Sequence, residues 1–366
     1  MSDAAARIMA PDDAPASSEL PGFWKSRIED IEAEVRAVTS GGVARVATSP
    51  GGLPIYTISY GEKGEFDSRA NYNSAVAAGN PAYYALKTRN TKPVVFIVGP
   101  VHGQELENIV GTVNLIHILE TGRDYRGTDW GDLKTKAAQC RVVVVPCGNP
   151  DGRWRCPYDS FVGLPHLIMT KYGQGTRKDG TLWGWPDAKA NHPMRGDVGI
   201  LGSYYNDNGI NPVHDDFFGD MAPEARAILD IARREAPDLI VSLHSNEDPP
   251  FLCQTGSVPL FISLRVLQLA KRLKARWAYE DLPNGPIHAL AEDDGTRLPR
   301  VRYFNLDSAL HHVCGATSFA VECIHGVVRE GESKPPATHE QILDILLCLF
   351  DEVLTYALER RVYWER

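Results

Sequence analysis

Four short runs of consecutive apolar residues constrain the fold of this chain more than any other feature: PVVFIVG at 93–99, RVVVVP at 141–146, DLIVSLH at 238–244 and TSFAVE at 317–322. Continuous rather than alternating apolar runs mark strands buried on both faces, and such strands belong to parallel sheets covered by helices on either side. The segments between them supply the helices. Leu106, Ile109, Val110, Val113, Ile116 and Leu119 recur every three or four residues and predict an amphipathic helix directly after the first run. Residues 223–235 lead helically into the third run, and Ile342, Ile345, Leu346, Leu349, Phe350, Val353 and Leu354 predict a closing helix over 339–360. Near the start, Ile28, Ile31, Val35 and Val38 predict a helix over 24–38, ended by Ser40, Gly41 and Gly42. Two β-rich runs, Val43–Thr48 and Leu53–Tyr60, flank SPGG as a hairpin. The expected fold class is α/β: a three-layer α/β/α domain with a mixed, mostly parallel twisted sheet. Residues 151–221, rich in Gly, Pro, Trp and Asp without periodicity, form a long loop region, and loops of that size inside a compact domain usually carry function.

With 43% hydrophobic and 23% charged residues over 366 positions, the chain buries a large core. Residues 1–20, dominated by Ala, Pro, Ser and Asp, read as a disordered arm, and 21–366 as one domain. A net charge of −9 argues against a nucleic acid or an anionic membrane as partner. No run approaches the ~18 apolar residues of a membrane helix, and the first residues lack a signal-peptide core. Seven scattered cysteines without a CxxC pair read as reduced thiols, so a cytoplasmic location is expected.

Three of the four runs lead straight into ionisable residues, in PVVFIVGPVHGQE, DLIVSLHS and SFAVECIHG. Ligands of open α/β sheets bind beyond the carboxyl ends of the strands, so His102, Glu105, His244 and Glu322 are placed to converge in one crevice. His102 and Glu105 stand three apart at a helix start, a spacing that shares one face. With His244 they make a His₂Glu set, which holds catalytic zinc with one position left for water. One zinc ion per chain is expected.

At this point the sequence resembles the zinc metallocarboxypeptidases, the carboxypeptidase A-like family. The resemblance runs through GGLPIY, HGQE at 102–105, NPDG at 149–152, APEARAILDIARREAPDLIVSLHS at 222–245 and TSFAVE, in family order. It implies that His102, Glu105 and His244 bind zinc and that Glu322 is the general acid/base. It also implies a cation near the developing oxyanion, for which Arg195 stands first, with Arg177 and Arg155 behind it. Tyr303 is the nearest match to the family's substrate-contacting tyrosine. The chain departs from the family at the Asn-Arg pair that clamps a substrate's terminal carboxylate. The best match, GINPVHDDF at 209–217, puts Val213 and His214 there; a second register through NDN at 206–208 puts Asp207 at the arginine position. Either register lacks the arginine. A neutral imidazole offers one donor and no assured charge, so recognition of a free carboxyl terminus is expected to be altered, with His214 charging only as pH falls towards ~6.

The expected activity is therefore hydrolysis of a peptide or other amide bond in a small-molecule or peptide substrate. Two alternatives stand beside it: a deacylase of N-acyl amino acids, like the desuccinylases and aspartoacylases, and a zinc-binding protein that recognises peptides without cutting them. Retention of Glu322 counts against the last. Trp183, Trp185, Tyr204 and Tyr205 in the long loop are candidates to line a pocket bulkier than a small acyl group needs. His311, His312 and His325 are expected in packing or at the surface.

Overall fold

The computed structural model describes residues 20–287, 303–361 and Trp364. Apart from Leu20, the arm expected over 1–20 lies outside them. The chain enters through α1 (Ile28–Ala37) and the hairpin β1 (Gly42–Thr48) and β2 (Pro54–Tyr60), followed by the short α2 (Tyr72–Ala77). The first apolar run is β3 (Val94–Val98), which leads to α3 (Leu106–Thr121) and α4 (Gly131–Ala138); the second is β4 (Arg141–Val145). The long loop region carries three short helices, α5 (Pro150–Arg155), α6 (His166–Gly173) and α7 (Asp187–Ala190). Then come α8 (Pro223–Glu235), β5 (Leu239–Asn246), β6 (Phe251–Cys253), α9 (Leu260–Tyr279), α10 (Leu306–Cys314), β7 (Thr317–Ile324) and α11 (His339–Glu359).

The strands form one seven-stranded sheet in the order β1-β2-β4-β3-β5-β7-β6. The central four, β4, β3, β5 and β7, are mutually parallel, while the hairpin and β6 add antiparallel edges. This is the mixed, mostly parallel sheet that the apolar runs predict. Its two faces follow from the two-residue period of a strand. Along β3, Val95 and Ile97 enter the core made with α3, α9 and α11, whereas Phe96 and Val98 enter the one made with α8 and α10. Every residue of β3 is buried, which is why its sequence does not alternate.

Helix α3 departs from the amphipathic expectation. All its residues but His117, Glu120 and Thr121 are buried, because α1, α4 and α11 pack around it on the sheet. Between 246 and 316, where no element is expected, lie β6, α9 and α10; Ile262, Val266, Leu269, Leu273 and Trp277 have helical spacing and form the buried stripe of α9. The seven cysteines form no disulfide, and six are buried. Among the described residues no helix is long and apolar enough to cross a membrane.

Candidate metal centre

The parallel strands bring the sequence-distant residues to one end of the sheet. His102 and Glu105 lie in the turn that follows β3, and β5 and β7 pair in a register that sets His244 directly beside Glu322. Both of the latter sit inside their strands, which run on to Asn246 and Ile324, rather than beyond the strand ends. The HGQE turn is possible only with glycine at its second position. A β-carbon on Gly103 would stand 2.0 Å from the carbonyl carbon of Gly152 and 2.1 Å from the backbone nitrogen of Arg153. The NPDG block thus serves as scaffold: the Asn149 amide donates to the Val101 carbonyl at 3.1 Å, and its Oδ1 accepts from Gly152 N at 2.9 Å. Asp151 accepts hydrogen bonds from Gly51 N and Asp207 N, tying the SPGG turn to the loop at 207.

Donor atoms of His102, Glu105 and His244 all lie within 4.8 Å of one another, and all three residues are buried. His102 Nδ1 is 2.7 Å from Glu105 Oε1 and 3.3 Å from His244 Nδ1, and His244 Nδ1 is 3.3 Å from Glu105 Oε2. On its other edge His102 Nε2 meets Asn211 Oδ1 at 3.2 Å; the amide oxygen can only accept, so this contact favours the tautomer with the proton on Nε2, the form whose Nδ1 lone pair is turned inward to bind metal. The lone pairs of two imidazole nitrogens and a carboxylate crowded this closely repel one another unless a proton or a metal cation lies between them. Burial lowers His102, so it is not the group that charges; burial also opposes charge on His244, but the Glu105 carboxylate outweighs it and raises that residue. Glu105 Oε2 is fully buried without a well-directed hydrogen bond. The donor set, the acceptor at His102 Nε2 and the unsatisfied Glu105 oxygen fit a divalent metal with mixed nitrogen and oxygen ligands.

The triad opens onto a cleft of about 710 Å³. Glu322 lines it, and burial, aided by Glu105, pushes its carboxyl up to about 7, against the pull of His244, His325 and Lys189. Tyr204 stacks on His102 with ring centroids 3.6 Å apart and lines the cleft together with the exposed Trp185. Trp183 and Tyr205 pack instead with Ala188 and Met194 in a small core beneath the loop. Tyr303, 53% exposed, lies on the cleft wall. His311 is buried against the Ala316 carbonyl and His312 meets that of Ser257. His325, expected in packing or at the surface, is buried, paired with Glu107 at 3.0 Å, and lines the cleft behind Glu322.

The cations fall differently from expectation. Arg195 is exposed, its guanidinium 3.4 Å from the Asn208 carbonyl, and it is not among the residues lining the cleft. Arg155 donates to the carbonyls of Leu201 and Gly202 at 3.0 Å each and pairs with Asp207, which is thereby held outside the cleft. Arg177 donates to the Leu182 carbonyl at 2.6 Å and lies over Trp183. Val213 and His214 do line the cleft, whereas Asp207 does not. His214, however, does not charge near pH 6: burial and the neighbouring Lys189 lower it to about 3. Lys189 stands where no sequence signal pointed. It lies in the single-turn α7, within a Trp- and Gly-rich stretch with no sequence periodicity and no motif, lines the cleft, and places Nζ 3.0 Å from His214 Nε2.

No protein-family model and no curated protein matches the sequence. Solved structures do match in fold. A metallo-carboxypeptidase from Burkholderia cenocepacia aligns over 92% of this chain and 70% of its own, with a TM-score of 0.54 and 14% identity. One from Pseudomonas aeruginosa, in complex with (2-guanidinoethylmercapto)succinic acid, aligns over 91% of this chain and 70% of its own, at TM-score 0.52 and 12% identity. The carboxypeptidase A of Helicoverpa armigera covers 96% and is covered to 78%, at TM-score 0.51 and 13% identity. The protein has the carboxypeptidase fold.

Proposed function

We propose that this protein is a zinc-dependent hydrolase of peptide or related amide bonds, with His102, Glu105 and His244 holding one zinc ion and Glu322 as general acid/base. The observation that carries the proposal is the meeting of the buried triad with Glu322, the register partner of His244, in a single cleft. When bound, zinc supplies a water activated near neutral pH and polarises the scissile carbonyl. Glu322 accepts the proton of the attacking water as the carbon–oxygen bond forms, and returns it to the nitrogen as the carbon–nitrogen bond breaks. A carboxyl pushed up to about 7 by burial is matched to that two-way duty, although a divalent cation beside it draws it lower. Asn211 orients His102, and Tyr204 covers its ring. Tyr303 is placed to touch substrate from the cleft wall; Arg195 has no part in this reading. Leu167 and Trp185, both lining the cleft and 66% and 68% exposed, offer an apolar rim that suits a peptide better than a small N-acyl amino acid.

The strands between Gly42 and Ile324 enter one sheet, which supports reading 21–366 as one catalytic domain, and the thiols support a reducing, cytoplasmic setting. The test is a library of peptides, peptide amides and N-acyl amino acids offered to the zinc-loaded protein and to Glu322→Gln. The variant is expected to keep its zinc and lose about 100-fold or more in turnover. Turnover within about threefold of wild type would remove Glu322 from the mechanism, and zinc content unaltered by His244→Ala would remove the metal site.

A further inference from the structure

Glu107 and His325 take no part in holding metal or in moving the proton, yet both are buried, at 1% and 2% exposure, beside the groups that do. A buried pair of ionisable side chains is weak evidence for stability, since well-packed apolar residues of similar volume often serve a fold as well or better. What this pair has is position. Glu105 is the N-cap of α3, and Glu107 stands in the first turn of that helix. Glu322 lies near the end of β7, and His325 is the residue that follows the strand. The contact between His325 Nδ1 and Glu107 Oε1, 3.0 Å long, therefore joins the segment that carries a metal ligand to the segment that carries the base. Among the described residues neither atom makes a well-directed hydrogen bond elsewhere, so each depends on the other.

The same turn of α3 makes a second link of this kind. Asn108, fully buried, donates from Nδ2 to Ser245 Oγ at 2.9 Å, and Ser245 follows His244 on β5. The far side of the seam is fixed as well. His325 N donates to the Asn246 carbonyl at 2.9 Å, which carries the pairing of β5 and β7 one residue past the strand. Leu106, next to Glu107, and Val327, two residues past His325, pack with Phe161 in one apolar cluster. The Phe161 ring meets the His325 ring edge-on, with centroids 6.3 Å apart. Two polar contacts thus tie together, behind the cleft, three elements that reach it from distant parts of the chain.

We infer that Glu107 and His325 are positioning residues, which hold the Glu322 carboxylate at its distance from the metal triad by tying the first turn of α3 to the end of β7. The inference rests on the hydrolase reading for the duty of Glu322, but not for the geometry it describes. The pair touches no reacting atom and acts through Glu322, whose displacement by about 1 Å is enough to cost up to about 100-fold in rate.

The experiment compares four zinc-loaded proteins: wild type, Glu107→Met, the double variant Glu107→Met/His325→Leu, and Glu107→Gln. Glu107→Met leaves His325 buried without its partner and should lower the urea unfolding midpoint, whereas the double variant removes both polar groups and should return the midpoint to near that of wild type. Turnover of a peptide that wild type cuts is expected not to recover with stability. In the double variant kcat should fall about 10–100-fold, with KM within about twofold and zinc content unchanged. Glu107→Gln keeps an acceptor opposite His325 Nδ1 and should hold kcat within about threefold. Added to Glu322→Gln, the double substitution should cost less than about twofold more, because the group it positions is already gone. Full kcat in the double variant, or an equal loss with and without Glu322, would overturn the proposal and leave the pair as packing. The crystal structure of the zinc-loaded double variant gives a readout apart from turnover: the Glu322 carboxylate is expected to move by about 1 Å against His244, and an unmoved carboxylate would overturn the proposal too. Should the double variant not fold, His325→Asn, polar but too short to reach Glu107, is read by the same kcat and crystal criteria. A moved carboxylate in a protein whose wild type cuts no peptide, amide or N-acyl amino acid would sink the hydrolase reading and leave the positioning role standing.

Discussion

Asn211 offers the sharpest test of how the metal centre is held. Its Oδ1 accepts from His102 Nε2 at 3.2 Å and from Val213 N at 3.0 Å, and the residue is buried. In Asn211→Leu, close in volume but without an acceptor, both donors lose their partner. A buried donor left unpaired costs about 1–3 kcal/mol. The Val213 contribution falls on metal-free and metal-bound protein alike, so it lowers folding stability by about that amount and cancels from metal affinity. The His102 contribution does not cancel. Without an acceptor at Nε2, the imidazole is free to move its proton to Nδ1 and donate to Glu105 Oε1, 2.7 Å away, and that tautomer must be undone before metal binds. The expected loss is 10–100-fold in zinc affinity, about 1.4–2.7 kcal/mol. Asn211→Asp, which keeps an acceptor and adds a charge, should restore affinity to wild type or better. Chelator competition reads the affinity, and urea unfolding of the metal-free proteins reads the stability. If Asn211→Leu binds zinc within about twofold of wild type, the tautomer of His102 is not set by Asn211.

Gly103→Ala places a methyl group about 2 Å from the backbone of residues 152 and 153, where nothing flexible can give way. It should destabilise the fold by about 3 kcal/mol or more and release metal, and a variant with an unchanged melting temperature would mean that the HGQE turn can move off α5. Glu224 is fully buried, with Oε2 accepting from Asn206 at 3.1 Å and Oε1 unpartnered, and burial raises its carboxyl from 4.5 to about 7. Between those two values the folded protein holds a proton that the unfolded chain has lost, so stability falls as pH rises through this window, by about 3 kcal/mol in all. Glu224→Gln should remove most of that fall, seen as a smaller difference between urea unfolding at pH 5 and pH 8; a difference equal to that of wild type would place the proton elsewhere.

The sheet and its flanking helices were legible in the sequence because their signals are local. Burial on both faces writes an unbroken apolar run into a parallel strand, and burial on one side writes a three-to-four-residue period into a helix. The runs at 93–99 and 141–146 and the stripe of α11 could therefore be placed within a residue or two. The same locality made His102 and Glu105 visible as a pair, and the rule that ligands gather beyond the ends of parallel strands extended it to His244 and Glu322. Strand order and register, which depend on the whole chain's packing, decided that His244 and Glu322 are neighbours. The burial of α3 on nearly every side was likewise a tertiary outcome, since the polar positions Asn108, Thr112 and Asn114 are covered by elements distant in sequence. The long loop region is where local signals fail. Its conformation rests on single hydrogen bonds and small clusters, such as Tyr205 on Ala188 and His192 on Asn211, that leave no period to read. An arginine and a lysine are equally plausible there from sequence; only the folded loop turned Arg195 outward and brought Lys189 to His214, because the position of a side chain on an irregular backbone is set by contacts that the neighbouring residues do not encode.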